Sequence, residues 1–148
     1  MPQSLSKVYL HIVFSTKYRK PLITPGAQPI LHAYIVTLGA NLGSFTEDIY
    51  ANPDHLHWLC TLSRTVTIAD LIQKIKISSS NKMSEIGLKG FHWQKGYGAF
   101  SVSQSKVGIV KNYIQNQEEH HRKQSFQEEY IQFLEEYKLD YDPKYVWD

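Results

Sequence analysis

A chain of 148 residues, 42% of them apolar, is long enough for one domain with a true core and too hydrophobic to be disordered. Its formal charge of +2 is unevenly spread: residues 1–117 carry 12 Lys/Arg against 5 Asp/Glu, and residues 118–148 carry 4 against 9. The single cysteine, Cys60, excludes an intrachain disulfide, and no run approaches the ~18–20 apolar residues of a membrane span.

A reducing, cytoplasmic setting is therefore expected, and the start of the chain has no secretory pattern. A basic body suits a polyanionic partner, although ordinary solvated lysines account for the charge equally well. The expected organisation is one domain over 1–148, with a core at about 5–121 and a C-terminal helix and tail at about 122–148.

Residues 7–15 read as a strand, with Val8, Leu10, Ile12 and Phe14 on one face and Tyr9, His11 and Val13 on the other. Lys17-Tyr18-Arg19-Lys20 follows, a basic cluster with an aromatic inside it. Such a cluster can grip phosphates and stack a base, or be a solvated loop. Thr24-Pro25 predicts a helix start, and Ile30, Leu31, Tyr34, Ile35, Leu38 and Leu42 recur at helical spacing up to a stop at Gly43. Phe45 to Tyr50 reads as a second strand.

Turn chemistry at Asn52-Pro53-Asp54 leads into a third strand over 55–62. Period two places Leu56, Trp58, Cys60 and Leu62 on one face and His55, His57, Leu59 and Thr61 on the other. Thr67 then starts a helix whose stripe is Ile68, Leu71, Ile72 and Ile75. A loop over 87–98 carries Trp93 and Tyr97, and 98–103 reads as a fourth strand. Ser105 predicts the cap of a helix over 106–121. Ser125-Phe126-Gln127-Glu128 is a capping box for a last helix that packs through Phe126, Tyr130, Phe133, Leu134 and Tyr137. The aromatic tail, Tyr141, Tyr145 and Trp147, is expected to dock on the body or on a second subunit.

The order predicts an α+β fold of the ferredoxin-like, split-βαβ kind: an antiparallel sheet with helices on one face, plus two C-terminal helices. The other sheet face is expected to be free for a ligand, with His55 and His57 on it. Alternate strand residues stand about 6.6–6.8 Å apart on one face, so the two imidazoles can converge on one ion. On spacing alone, two ordinary histidines are the commoner explanation. Tyr113 and Gln117 are four apart and share a helix face, with His120 and His121 continuing it. Read alone, Tyr113 is more often a packing aromatic than a nucleophile.

The segments HIVFSTKYRK (11–20), NPDHLHWL (52–59), WQKGYGAFSVS (93–103), YIQNQEEHH (113–121) and FQEEY (126–130) change that balance. In this order, over almost the whole chain, they resemble the single-strand insertion-sequence transposases of the HUH, single-tyrosine class, and above all their REP-associated relatives. The resemblance implies that His55, His57 and Gln117 hold a divalent metal, Mg²⁺ or Mn²⁺, and that Tyr113 is the nucleophile. It implies cutting and rejoining of single-stranded DNA at hairpin-marked ends through a 5′-phosphotyrosine link. It also implies a homodimer, joined edge to edge through 98–103, in which the tyrosine helix can be exchanged between subunits. His120 and His121 are candidates for proton transfer.

Lys17, Arg19, Lys20, Arg64, Lys74, Lys76 and Lys82 are the candidate DNA contacts, and Tyr18, Trp93 and Tyr97 could stack bases, though packing is the commoner role for each. Two other functions remain open. One is a domesticated hairpin-binding protein of the same fold without transposition. The other is a metal hydrolase using His55, His57 and a histidine of the 120–121 pair.

Overall fold

The computed structural model describes residues 2–148. Its strands are β1 (Tyr9–Ser15), β2 (Thr46–Ala51), β3 (His55–Thr61) and β4 (Gly98–Val102). Its helices are α1 (Gln28–Asn41), α2 (Ile68–Glu85), α3 (Val107–Gln115), α4 (Gln117–His120) and α5 (Phe126–Glu136), with single 3₁₀ turns at Lys17–Arg19 and Gln104–Lys106. The sheet order is β2-β3-β1-β4 with every neighbouring pair antiparallel, as the split-βαβ reading expects.

β1 and β3 are the two central strands, and both are buried along their whole length. Leu10, Ile12, Phe14, Leu56, Trp58 and Cys60 meet α1 and α2 through Leu31, Ile35, Leu71, Ile72 and Ile75. Each such side chain contributes about 1.5–3 kcal/mol on burial, so this layer dominates the stability of the domain. Close approach sets one position here: a Cβ on Gly39 of α1 would lie 2.9 Å from the Trp58 ring. The Cys60 thiol is fully buried in this layer, and burial pushes its pKa up to about 12.

The other sheet face is not free, as the sequence suggested, but roofed. α3 covers Tyr9 and Leu59 through Val107 and Ile114. α5 covers Val13 and Phe100 through Phe126, Tyr130 and Leu134, and Val146 and Trp147 of the tail join that packing. The histidine face offers enough apolar neighbours (Tyr9, Val13, Leu59, Phe100) to bury the stripes of both helices, which is why they close over it. Gly98 permits this, because a Cβ there would stand 2.9 Å from the Tyr130 ring. The tail therefore docks on the body of its own chain.

Several boundaries differ from expectation for local reasons. Thr24-Pro25 forms a turn, with Ala27 N–H donating to Thr24 Oγ1, and α1 starts three residues later with Pro29 in its first turn. The helix expected over 106–121 starts behind a 3₁₀ turn whose N-cap is Ser103, not Ser105. That helix is then broken at Asn116, whose Nδ2 donates to Asn112 O at 2.8 Å. A side-chain amide that competes for the i−4 carbonyl is a recognised way to interrupt a helix. In α5 the capping box is present as read, but Tyr137 is exposed and Glu129 takes a place in the buried stripe.

Candidate metal and tyrosine site

Strand alternation delivers His55 and His57 to the roofed face. The break at Asn116 redirects α4 so that Gln117 and His121 reach them. α5 adds Glu129. The ligand atoms of His55, His57, His121 and Glu129 all lie within 4.8 Å of one another. His57 Nε2 is 2.9 Å from Glu129 Oε1, His55 Nε2 is 3.5 Å from the same oxygen, and His121 Nε2 is 3.4 Å from Oε2. Gln117 Oε1 completes the group, 2.9 Å from His121 Nε2.

The hydrogen bonds behind these atoms decide what they can hold. Asp54 Oδ1 accepts from His55 Nδ1 at 2.7 Å, and the Gln124 carbonyl accepts from His121 Nδ1 at 2.7 Å. Both neutral rings therefore carry a lone pair on Nε2, yet the two Nε2 atoms stand 3.0 Å apart. Gln117 Oε1 and the Glu129 carboxylate beside them are acceptors too. Asn52 Nδ2 is the donor that answers them, at 3.1 Å from His55 Nε2 and 3.2 Å from Gln117 Oε1. An excess of lone pairs converging on one point, with carboxylate and carbonyl partners fixing the rings from behind, is the donor set of a divalent cation. The residues present fit a metal.

Charge within the group is tightly coupled. Burial alone would lower the pKa of His55, but hydrogen bonds to Asp54 and Glu129 outweigh it and raise it. Burial wins at His57, which is lowered despite Glu129. Burial likewise works to raise Glu129, but His57 first and then the neighbouring His121 and His55 imidazoles hold it far below the usual carboxylate range. His11, 2.8 Å from His57 Nδ1 through its own Nε2, lies behind the group, and burial and then His57 lower it to about 3.

Tyr113 comes from α3. Its hydroxyl donates to Glu129 Oε2 and lies 3.1 Å from His120 Nε2. Burial and then the Glu129 charge push its pKa well up, so the phenol is held protonated. The structure thus brings together Tyr113, His55, His57, Gln117, His120 and His121. His120 turns toward the phenol and His121 toward the histidine pair. Sequence reasoning missed Glu129, the shared partner of Tyr113 and the four histidines. The signal was available: in FQEEY, Glu128 serves the exposed capping box, whereas Glu129 falls on the apolar stripe three residues from Phe126 and four from Phe133.

The candidate DNA contacts do not converge. α2 packs on the opposite sheet face, which places Lys74, Lys76 and Lys82 in the layer away from the histidines. Lys76 is committed there: its Nζ donates to the carbonyls of Gln94, Lys95 and Gly96 at 2.9, 3.2 and 2.6 Å. Arg64 follows the end of β3 remote from His55. Trp93 is core, with Nε1 donating to Ser79 Oγ at 2.9 Å. Lys17, Arg19 and Lys20 differ, because their turn follows Ser15, which pairs with His55. Among the described residues no helix is long and apolar enough to cross a membrane.

Comparison with known proteins agrees with this fold. The chain has 21% identity and a TM-score of 0.63 to a protein of Deinococcus radiodurans R1 solved as a candidate transposase, covering 79% of this chain and 98% of that one. It has 18% identity and a TM-score of 0.61 to a REP-associated tyrosine transposase bound to a REP hairpin, covering 82% of this chain and 73% of that one. At such identities the likeness is one of fold. No curated protein matches the chain. The family model for IS200-like transposases matches residues 4–117, a span that holds the histidine strand and Tyr113 and ends at Gln117, short of Glu129, and the chain therefore belongs to the IS200-like transposase family.

Proposed function

We propose that this transposase cuts and rejoins single-stranded DNA at hairpin-marked ends, with Tyr113 as nucleophile and a divalent metal held by His55, His57, Gln117, His121 and Glu129. The observation that carries the proposal is the Glu129 carboxylate, which contacts His57 through one oxygen and the Tyr113 hydroxyl through the other. Phenol and metal ligands thus meet at one group. Three imidazoles and a carboxylate favour Mn²⁺ over Mg²⁺. When bound, the metal withdraws charge from a non-bridging phosphate oxygen.

This chain's own residues do the rest. Tyr113 Oη attacks phosphorus; the Tyr113 O–P bond forms and the P–O3′ bond breaks. His120 accepts the phenol proton, which is returned to the departing 3′-oxygen. Because one phosphodiester is exchanged for another, a later 3′-OH can reseal the strand by the reverse step and release Tyr113. The DNA partner, homodimerisation through the β4 edge and exchange of the tyrosine helix belong to the same proposal.

One observation favours the alternative of a hairpin-binding protein without transposition: Glu129 is only 1% exposed and His57 is fully buried, so neither is open to a DNA strand. A single experiment separates the readings. The protein is incubated with labelled hairpin DNA and Mn²⁺, then denatured. An adduct present in the wild type and reduced more than about a thousandfold in Tyr113→Phe supports transposition. Binding without an adduct supports the alternative, and 5′-phosphate released without an adduct, unaffected by Tyr113→Phe, supports a hydrolase.

A further inference from the structure

We propose that the Lys17–Lys20 turn is a base-stacking platform, on which the Tyr18 ring takes one unpaired nucleobase of the single-stranded DNA while Lys17 and Lys20 hold the flanking phosphates. The inference rests on the DNA reading above but not on the tyrosine chemistry.

Tyr18, at 68%, is the most exposed tyrosine, phenylalanine or tryptophan side chain of the protein. Its backbone is left-handed, at φ 59° and ψ 17°, and so is that of Arg19, at φ 56°. Two successive non-glycine residues in this region are unfavourable and persist only where the surroundings impose them. The surroundings here do so. Thr16 Oγ1 donates to Lys20 O at 2.6 Å, Lys17 N–H to His92 O at 2.8 Å, and Thr16 N–H to Asp54 O at 2.9 Å. The same Asp54 orients His55 through its side chain. The turn is thus tied to the strand that bears the candidate metal ligands. The Arg19 guanidinium lies 5.4 Å from the centre of the Trp147 ring and ties the turn to the tail.

This backbone strain secures no burial for Tyr18; it lifts the ring into solvent. Two ammonium groups lie over the ring, Lys17 Nζ at 5.4 Å and Lys20 Nζ at 6.0 Å from its centre, on flexible side chains that can swing from the ring to phosphates as a base stacks. A solvent-exposed ring with two displaceable cations at hand matches a nucleotide, whose base takes their place on the ring and whose phosphates receive them. Beside Tyr18 lies a hollow of about 230 Å³, lined also by Lys17, Gln94, Lys95, Trp147 and Asp148. The Asp148 carboxylate can accept from the amino edge of a base, whereas Gln94 Oε1 is already taken by Ser15 N–H at 2.8 Å. A base in the hollow meets Tyr18 and Asp148, and its flanking phosphates meet Lys17 and Lys20 at the edge of the hollow.

The test uses the full chain with a chelator present and, as probe, a DNA hairpin with single-stranded arms taken from beside the reading frame. 2-Aminopurine is placed at each unpaired position in turn. The wild type and Tyr18→Trp should quench its fluorescence at one position. Tyr18→Gly and Tyr18→Asn tolerate the left-handed backbone but offer no ring. Both should lose the quenching and bind roughly tenfold to a hundredfold more weakly, with an unchanged or higher thermal midpoint. Wild-type affinity in either variant overturns the proposal. So does a lowered midpoint in both, which would make Tyr18 a structural residue. Tyr113→Phe should bind and quench normally, so failure of the covalent chemistry and failure of the platform are read separately.

Discussion

The two faces of β3 make an internal control. Leu56, Trp58 and Cys60 point one way and His55 and His57 the other, all of them 0–1% exposed. Equal burial has opposite consequences. The apolar face meets two helices and carries only the Cys60 thiol, which its raised pKa keeps neutral, so its contribution does not vary with pH near neutrality. The imidazole face is stable only while its lone pairs, protons and any cation are balanced. Burial alone therefore does not separate a core from a site; the balance of donors and acceptors does.

Trp58→Ala should have the largest effect, about 3–5 kcal/mol of destabilisation from the emptied indole site. It should be the same with or without chelator and between pH 6.5 and 8; a chelator-dependent loss in denaturant titrations would mean that the faces are not independent. Mn²⁺ should act on the other face alone. At a hundred times its dissociation constant it should stabilise the wild type by about 2.7 kcal/mol, seen as a raised thermal midpoint, and should do nothing for His57→Ala.

The smallest effect is that of pH. His11 and His57 have folded pKa values below 6.5, so their contribution is complete above pH 6.5 and is lost as pH falls toward those values. The raised His55 works oppositely, losing stability as pH rises through its folded value. Glu129, depressed, loses its contribution only as pH falls below about 4.5. Between pH 6.5 and 5 the wild type should therefore lose stability, His11 accounting for about 2 kcal/mol at pH 5. His11→Phe should flatten that slope in denaturant midpoints measured across the range; an unchanged slope would remove His11 from the account.

Much of this was legible in the sequence. Period two separated the faces of β3 without error, because a central strand imposes strict alternation. The capping box of α5 was legible because both of its partners lie within four residues. What escaped depended on longer reach. The Asn116 break arises from a side chain choosing a backbone carbonyl, which periodicity does not record. The roof over the histidines follows from pairing α3 and α5 with Tyr9, Val13 and Phe100, contacts between segments far apart in the chain. Glu129 was missed for a simpler reason: a glutamate beside another glutamate reads as a solvated pair until its helical angle is compared with that of Phe126 and Phe133. Tyr113, His55, His57 and Gln117 were found by resemblance; spacing by itself left them ordinary.

The lone thiol of Cys60 has a practical use. Sealed beneath two helices with its pKa near 12, it has neither the access nor the thiolate fraction to react with an alkylating reagent while the domain is folded. Its labelling rate therefore counts how often the whole apolar layer opens. Unlabelled protein recovered after incubation with DNA and metal would show that α1, α2 and the sheet stay closed through binding and turnover, so that any movement at the imidazoles occurs on one side of an intact platform.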